Sequence, residues 1–181
     1  AEVLSSITTD HWLGKSLPMK RCEAGQSWQW DGVVFEVLHP LSKDYDKLLP
    51  PNARSCVLRI HAQGQTVLLA ADIEALQEKA LVERMANGLR ADVLLVPHHG
   101  SKTSSTHAFL NAVQPRIAWV QAGYRNRYGH PAPEVMQRYA DKGIPVWDSP
   151  RCGAMHWRSE QPEQVLCERD LQRRYWHHRV P

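Results

Sequence analysis

Ala91-Asp92-Val93-Leu94-Leu95-Val96-Pro97-His98-His99-Gly100-Ser101 is the stretch that decides how the chain is read. The apolar run Val93–Val96 has the length of a strand buried on both faces and is too short for a helix. A proline ends the run, and two histidines, a glycine and a serine follow it. A rigid sheet aims polar residues at the end of such a strand, while the loop that carries them stays open to a ligand. Adjacent side chains project differently, so one histidine can ligate while the other hydrogen-bonds or orients. Gly100 lets the backbone approach a ligand closely. Ser101, Thr103, Ser104 and Ser105 supply hydroxyls at the start of a helix predicted over Ser105–Val113, a position that suits anions.

The same design recurs on both sides. Upstream, the nearly all-apolar Thr66–Ala70 leads to Asp72. Asp72 either caps the helix predicted over Glu74–Met85 or offers a carboxylate to a metal, and the second role needs neutral imidazoles nearby. The inward face of that helix is predicted as Leu76, Ala80, Leu81 and Met85. Downstream, Ile117–Val120 leads to Gly123-Tyr124-Arg125-Asn126-Arg127-Tyr128-Gly129-His130-Pro131. Arginine reads phosphate with a forked geometry. Tyrosine stacks on bases. His130 can give a proton to a leaving oxygen. The plainer alternative is a polar surface loop.

Farther out, Trp28–Leu38 reads as a hairpin about Asp31-Gly32, the strongest short hairpin signal. Ser55–Ile60 and Thr66–Ala70 make a second hairpin about Gln63-Gly64. Residues 39–54 hold three prolines and read as a loop. Pro133 starts a helix with Val135, Met136, Tyr139 and Ala140 inward, and Gly143 ends it. Val3–Ile7, Val146-Trp147, Ala154–Trp157 and Gln164–Cys167 are further short strands. Trp28, Trp30, Trp119, Trp147 and Trp157 lie in strand patterns and are expected in the core. His39 ends a strand and is a weaker site candidate. The sum is an α/β (α+β) chain with helices packed on a mixed sheet, not an all-parallel doubly wound fold.

Bulk properties bound the rest. A length of 181 residues favours one domain, and 43% hydrophobic with 23% charged residues is ordinary for a globular protein. No apolar run approaches the ~18 residues of a membrane helix, and the first residues lack the pattern of a signal peptide. The net charge of +3 tolerates a polyanion without predicting one. Arg169, Arg173, Arg174, His177, His178 and Arg179 crowd the end, so the expected organisation is a domain over 1–168 and a basic tail over 169–181, either solvated or phosphate-contacting. The four cysteines form no CxxC pair; two disulfides and buried free thiols fit equally well.

Four blocks, in this order, resemble the C-terminal metallo-β-lactamase domain of ComEC competence proteins. They are Asn52-Ala53-Arg54-Ser55-Cys56-Val57-Leu58, Leu68–Glu74, Ala91–Ser105 and Ala122–Pro131. The resemblance implies an αββα sandwich with two divalent ions, manganese or zinc. Asp72 then matches the carboxylate that bridges them, and His98 or His99 matches a late metal-ligand histidine. His130 lies near the substrate, with Ser101, Thr103, Ser104, Arg125, Asn126 and Tyr128 as substrate contacts. The implied activity is phosphodiester hydrolysis by metal-activated water, degrading the non-imported strand during natural transformation. The implied partner is DNA, as a single strand. The implied parent is an inner-membrane channel protein with this domain outside the cytoplasm.

Three departures bear on that expectation. The superfamily's His-x-His-x-Asp-His block is absent, Ala71 stands where a glycine usually precedes the bridging aspartate, and Asn52 stands where a middle histidine ligand would fall. The expected object is therefore an N-terminally truncated domain that holds metal weakly or not at all and is inactive alone. A catalytically silent module that guides DNA is the alternative. A phosphodiesterase for small phosphoesters is a third reading.

Overall fold

Two turns order the first half of the chain. In the computed structural model, which describes residues 3–7 and 11–176, Val3–Ser5 (β1) pairs in parallel with Met19–Arg21 (β2) across a short helix, Trp12–Ser16 (α1). Ser27–Trp30 (β3) and Val33–His39 (β4) then form the hairpin at Asp31-Gly32, where both residues take the positive φ (54° and 79°) that such a turn demands. Val57–Ala62 (β5) and Gln65–Leu69 (β6) repeat this at Gln63-Gly64, with φ of 50° and 76°.

Strand and helix alternate from there: Ala75–Met85 (α2), Val93–Leu95 (β7), His107–Val113 (α3), Ile117–Val120 (β8), Pro133–Asp141 (α4) and Val146–Asp148 (β9). Ser149–Cys152 (α5), Met155–Trp157 (β10), Val165–Cys167 (β11) and Glu168–Leu171 (α6) complete the described chain. The seven strands β3 to β9 lie in sequence order in one sheet, antiparallel as far as β6 and parallel after it. Each parallel crossover steps to the next strand in the same direction, so right-handed connections put α2, α3 and α4 on one face. Leu68, Leu94 and Ala118 meet Leu81, Phe109, Val113, Val135 and Tyr139 there, all fully buried.

The opposite face is apolar too. Register aligns Trp28 with Phe35, Phe35 with Ile60, Ile60 with Val67, and Leu69 with Leu95, Trp119 and Trp147 along its rows. The β10–β11 hairpin covers part of it, setting Met155, Trp157 and Leu166 around an 830 Å³ cavity. The described residues thus supply one seven-stranded mixed sheet with helices packed on one face, and two small two-stranded sheets. This corrects the expectation for two tryptophans: Trp28 and Trp30, predicted as core, are 38% and 74% exposed on β3, an edge strand of the sheet. On α2, Leu76 and Ala80 face solvent, and Glu78 and Leu81 point inward.

The cysteines pair, Cys22 with Cys56 and Cys152 with Cys167, at Cα separations of 6.1 and 4.5 Å. The first bridge ties the β2–β3 connection to the start of β5; the second closes the segment carrying β10. The boundary expected after residue 168 falls inside α6, and His177, His178 and Arg179 of the basic tail lie outside the described residues. Among the described residues no helix is long and apolar enough to cross a membrane.

Candidate functional site

Because β6, β7 and β8 are parallel neighbours, their C-terminal ends share one edge of the sheet. That topology brings together Asp72 and Glu74 after β6, His98 and His99 after β7, and His130 after β8. The rings of His98 and His130 are 5.9 Å apart and those of His98 and His99 6.4 Å.

The backbone is wound tightly to achieve this. Ala71, His98 and His99 all have left-handed φ, at 49°, 49° and 54°. Each such non-glycine residue costs ~1–2 kcal/mol and persists only where its surroundings over-determine it. Here His98 N donates to Ala71 O (2.9 Å), Ser101 N to His98 O (2.8 Å) and Ala132 N to Gly100 O (2.8 Å). Ala71 thus occupies a conformation in which glycine is unstrained, which is the residue the resemblance leads one to expect there. Gly100, at φ 79°, is a packing necessity as well: a Cβ would stand 2.7 Å from Pro131 Cβ and 3.1 Å from Pro131 Cα. This close approach sets the spacing between the double-histidine loop and His130.

The two adjacent histidines have different surroundings. His99 Nδ1 donates to Gln121 O at 2.7 Å, and its Nε2 faces Asp72 Oδ1 at 3.5 Å. His98 Nε2 lies 3.3 Å from Asn52 Nδ2, and Glu74 Oε1 stands 3.2 Å from His98 Nδ1, out of line for a hydrogen bond. The Nδ1 atoms of His98 and His130 are buried without a hydrogen-bond partner. Burial holds the His130 pKa below its usual value, and the neighbouring His98 and His99 push the same way. Tyr128 stacks on His130 at 5.8 Å with 18° between the rings. His99, Gln121, Asn126, Tyr128, His130 and Ser149 line an open 540 Å³ cavity.

The fit to a metal rests on His99. A metal-ligating histidine normally gives its other N–H to a carbonyl or carboxylate, as His99 gives its own to Gln121. The 3.5 Å gap from Nε2 to the carboxylate is close to the ~3.3 Å edge between two ligands each ~2.0–2.1 Å from a tetrahedral cation. Among the described residues no three His, Cys, Asp or Glu side chains are gathered in ligand geometry.

The remaining candidates divide. Arg125 and Tyr128 are exposed; the Arg125 guanidinium lies 5.2 Å over the Tyr124 ring, and that of Arg127 lies 4.8 Å over Tyr128. Thr103 is exposed, with its hydroxyl 3.1 Å from that of buried Ser101. Ser104, expected at the substrate, is fully buried and donates to Pro97 O at 2.8 Å, so its hydroxyl serves the loop. The Asn126 amide is spent locally: Nδ2 donates to the carbonyls of Gly123 (2.9 Å) and His130 (2.5 Å), and Oδ1 accepts from His130 N (3.0 Å). His39 is buried with Nε2 2.9 Å from Ala53 O and pins the 39–54 loop. Sequence reasoning marked Asn52 only as a departure from a histidine ligand, and did not single out Glu74 or Glu78. Asn52 and Glu74 stand inside the resembling blocks; nothing in the sequence marks Glu78.

No protein-family model matches the chain. Competence protein ComA of Neisseria gonorrhoeae is 41% identical over 134 residues, 74% of this chain and 19% of that protein. Recombination protein 2 of Haemophilus influenzae is 35% identical over 117 residues, 65% of this chain and 14% of that protein. The chain therefore spans a fifth or less of the curated relatives' length and is homologous to one segment of them. A crystal structure of a Thermotoga maritima protein assigned to the metallo-β-lactamase superfamily covers 70% of this chain and 60% of its own, at 15% identity and a TM-score of 0.36.

Proposed function

We propose that this chain, homologous over most of its length to one segment of the competence proteins, is part of a metal-dependent phosphodiester hydrolase that acts on single-stranded DNA in a DNA-uptake system. One observation carries the reading: His99 is locked through Nδ1 to Gln121 O and turns Nε2 toward Asp72. Asp72 and His99 would hold a divalent cation, manganese or zinc, with a second ion and the remaining ligands in the complete site. Bound there, a cation supplies Lewis acidity to a phosphate oxygen. His130, with an unpartnered Nδ1 and a pKa held down by burial, would take a proton from the attacking water, the direction open to a neutral imidazole. Arg125 and Arg127 meet phosphates on the rim of the cavity, Tyr128 offers a ring to a base, and Thr103 offers a hydroxyl beside them.

The relatives named for competence and recombination support DNA as the partner, and the chain matches only 19% and 14% of their length. The two disulfides suit a location outside the cytoplasm, where oxidising conditions preserve them. A DNA-guiding module without catalysis is the second reading, favoured by the absence of a third ligand at Asp72 and His99 among the described residues. Mn²⁺ titration of the chain, of His99→Ala and of His98→Ala separates these readings. Binding that weakens at least 10-fold in His99→Ala, and less in His98→Ala, supports the metal edge. Equal weak binding by all three chains counts for the guiding module. A small diester hydrolysed as readily as a single strand counts against DNA as the substrate.

A further inference from the structure

The inward face of α2 carries a carboxylate where helical spacing would set an apolar residue. Glu78 is fully buried. Its Oε1 accepts from Ser105 N at 2.5 Å and its Oε2 from Thr106 N at 2.8 Å. Arg138 of α4 donates from the other side to the carbonyls of Ser104 (2.8 Å) and Ser105 (3.2 Å), and the Tyr139 hydroxyl meets Ser105 Oγ at 3.0 Å. Residues 104–106 are thus gripped between two helices, with Ser105 held at a φ of 57°.

Those helices carry the other parts of the site. Asp72 and Glu74 immediately precede α2, and His130 immediately precedes the turn into α4. The gripped segment is the far end of the loop that begins with His98 and His99, and Thr103 O accepts from Ala75 N at 2.8 Å, tying that loop again to the start of α2. This buried polar cluster is therefore a further junction of all three site-bearing segments, beside the His98–Ala71 and Gly100–Ala132 hydrogen bonds.

The residue type matters. Two amides point at two carboxylate oxygens, an arrangement only the carboxylate satisfies in full. A leucine would strand both donors in the interior, and a glutamine would turn an NH₂ group toward one of them.

We propose that Glu78 is a positioning residue of the candidate site: by holding the amides of Ser105 and Thr106 it fixes the His98–His99 loop relative to Asp72 and His130. The proposal rests on reading those side chains as the functional site, and its test reads their geometry directly, with neither nucleic acid nor turnover. Histidine ring ¹⁵N–¹H spectra and amide exchange are recorded for the chain, for Glu78→Gln, for Tyr139→Phe and for Leu81→Ala. Leu81→Ala loosens the same helix without removing a hydrogen bond to the loop and controls for general destabilisation.

Glu78→Gln is expected to move the ring signals of His98 and His99 and to speed exchange at Ser105 and Thr106 at least 10-fold, while Leu81→Ala leaves the ring signals in place. Ring signals unmoved in folded Glu78→Gln, or moved as far by Leu81→Ala, overturn the proposal. If Glu78→Gln does not fold, Tyr139→Phe decides, since it removes one hydroxyl from the same cluster. Displaced His98 and His99 signals then support the proposal, and unchanged signals overturn it.

Discussion

Replacing Gly100 by alanine should cost far more than replacing another glycine of the same backbone conformation. Gly100 has φ 79° and Gly143 has φ 65°, so an added Cβ meets comparable left-handed strain at both, ~1–2 kcal/mol. At Gly143 the new methyl meets nothing within 4 Å. At Gly100 it would stand 2.7 Å from Pro131 Cβ and 3.1 Å from Pro131 Cα, and neither a proline ring nor backbone can swing aside. Overpacking of this kind adds ~1–3 kcal/mol. Gly100→Ala should therefore lose ~3 kcal/mol in all and Gly143→Ala about half of that. With a urea slope of ~2 kcal/mol/M, the midpoints should fall by ~1.5 M and ~0.7 M. Equilibrium urea unfolding of the two variants beside the parent chain measures both. Midpoints for the two variants within ~0.2 M of each other would refute the claim that this close approach spaces the double-histidine loop from His130.

Other outcomes follow from the same geometry. Unfolded but unreduced protein should show no reactive thiol, and reduction should cost ~3.8 kcal/mol for the 34-residue Cys22–Cys56 loop and ~3.0 kcal/mol for the 15-residue Cys152–Cys167 loop, read as a loss of urea midpoint; free thiols in the unreduced protein would contradict the pairing. Burial lowers the His39 pKa from 6.5, so the unfolded chain binds its proton more readily, and stability on this account falls as pH drops below 6.5 toward the folded value. His39→Gln should flatten that part of a stability–pH curve, and an unchanged slope would assign the acid sensitivity elsewhere. The uncovered apolar face should bind a hydrophobic dye, and Trp30→Lys, at a residue 74% exposed, should reduce that signal without moving the urea midpoint by more than ~0.5 kcal/mol equivalent; dye binding untouched by the change would locate the apolar surface elsewhere.

Much of this architecture was legible because local chemistry dictates it. Asp31-Gly32 and Gln63-Gly64 allow only tight turns, and the strands around them pair accordingly. Pro133 begins α4, and Gly143, at positive φ, follows its C-cap Lys142. The three site-bearing strand ends were visible as apolar runs followed by Asp72, by His98-His99 and by the loop to His130. Their convergence is a property of parallel order in the sheet, which sequence implies only through the alternation of strand and helix.

What escaped depends on contacts distant in sequence or on what covers a face. Glu78 reads as one more charge on a helix, because the amides that require it lie 27 and 28 residues away. Which histidine faces Asp72 is decided by the carbonyl of Gln121, 22 residues beyond His99. An aromatic strand pattern says that Trp28 and Trp30 share a face, and is silent on whether anything covers it. Ser104 and Asn126 have the right chemistry for a ligand, but both are consumed by the loops that contain them.

The most direct test of the proposed function is Mn²⁺-dependent cleavage of labelled single-stranded DNA by the chain within its full-length parent, wild type against Asp72→Ala and His99→Ala. The account predicts cutting that requires the metal and falls at least 100-fold in each variant while DNA binding persists. Cutting that survives both substitutions, or a wild-type protein that binds Mn²⁺ and DNA yet leaves the strand intact, would contradict it.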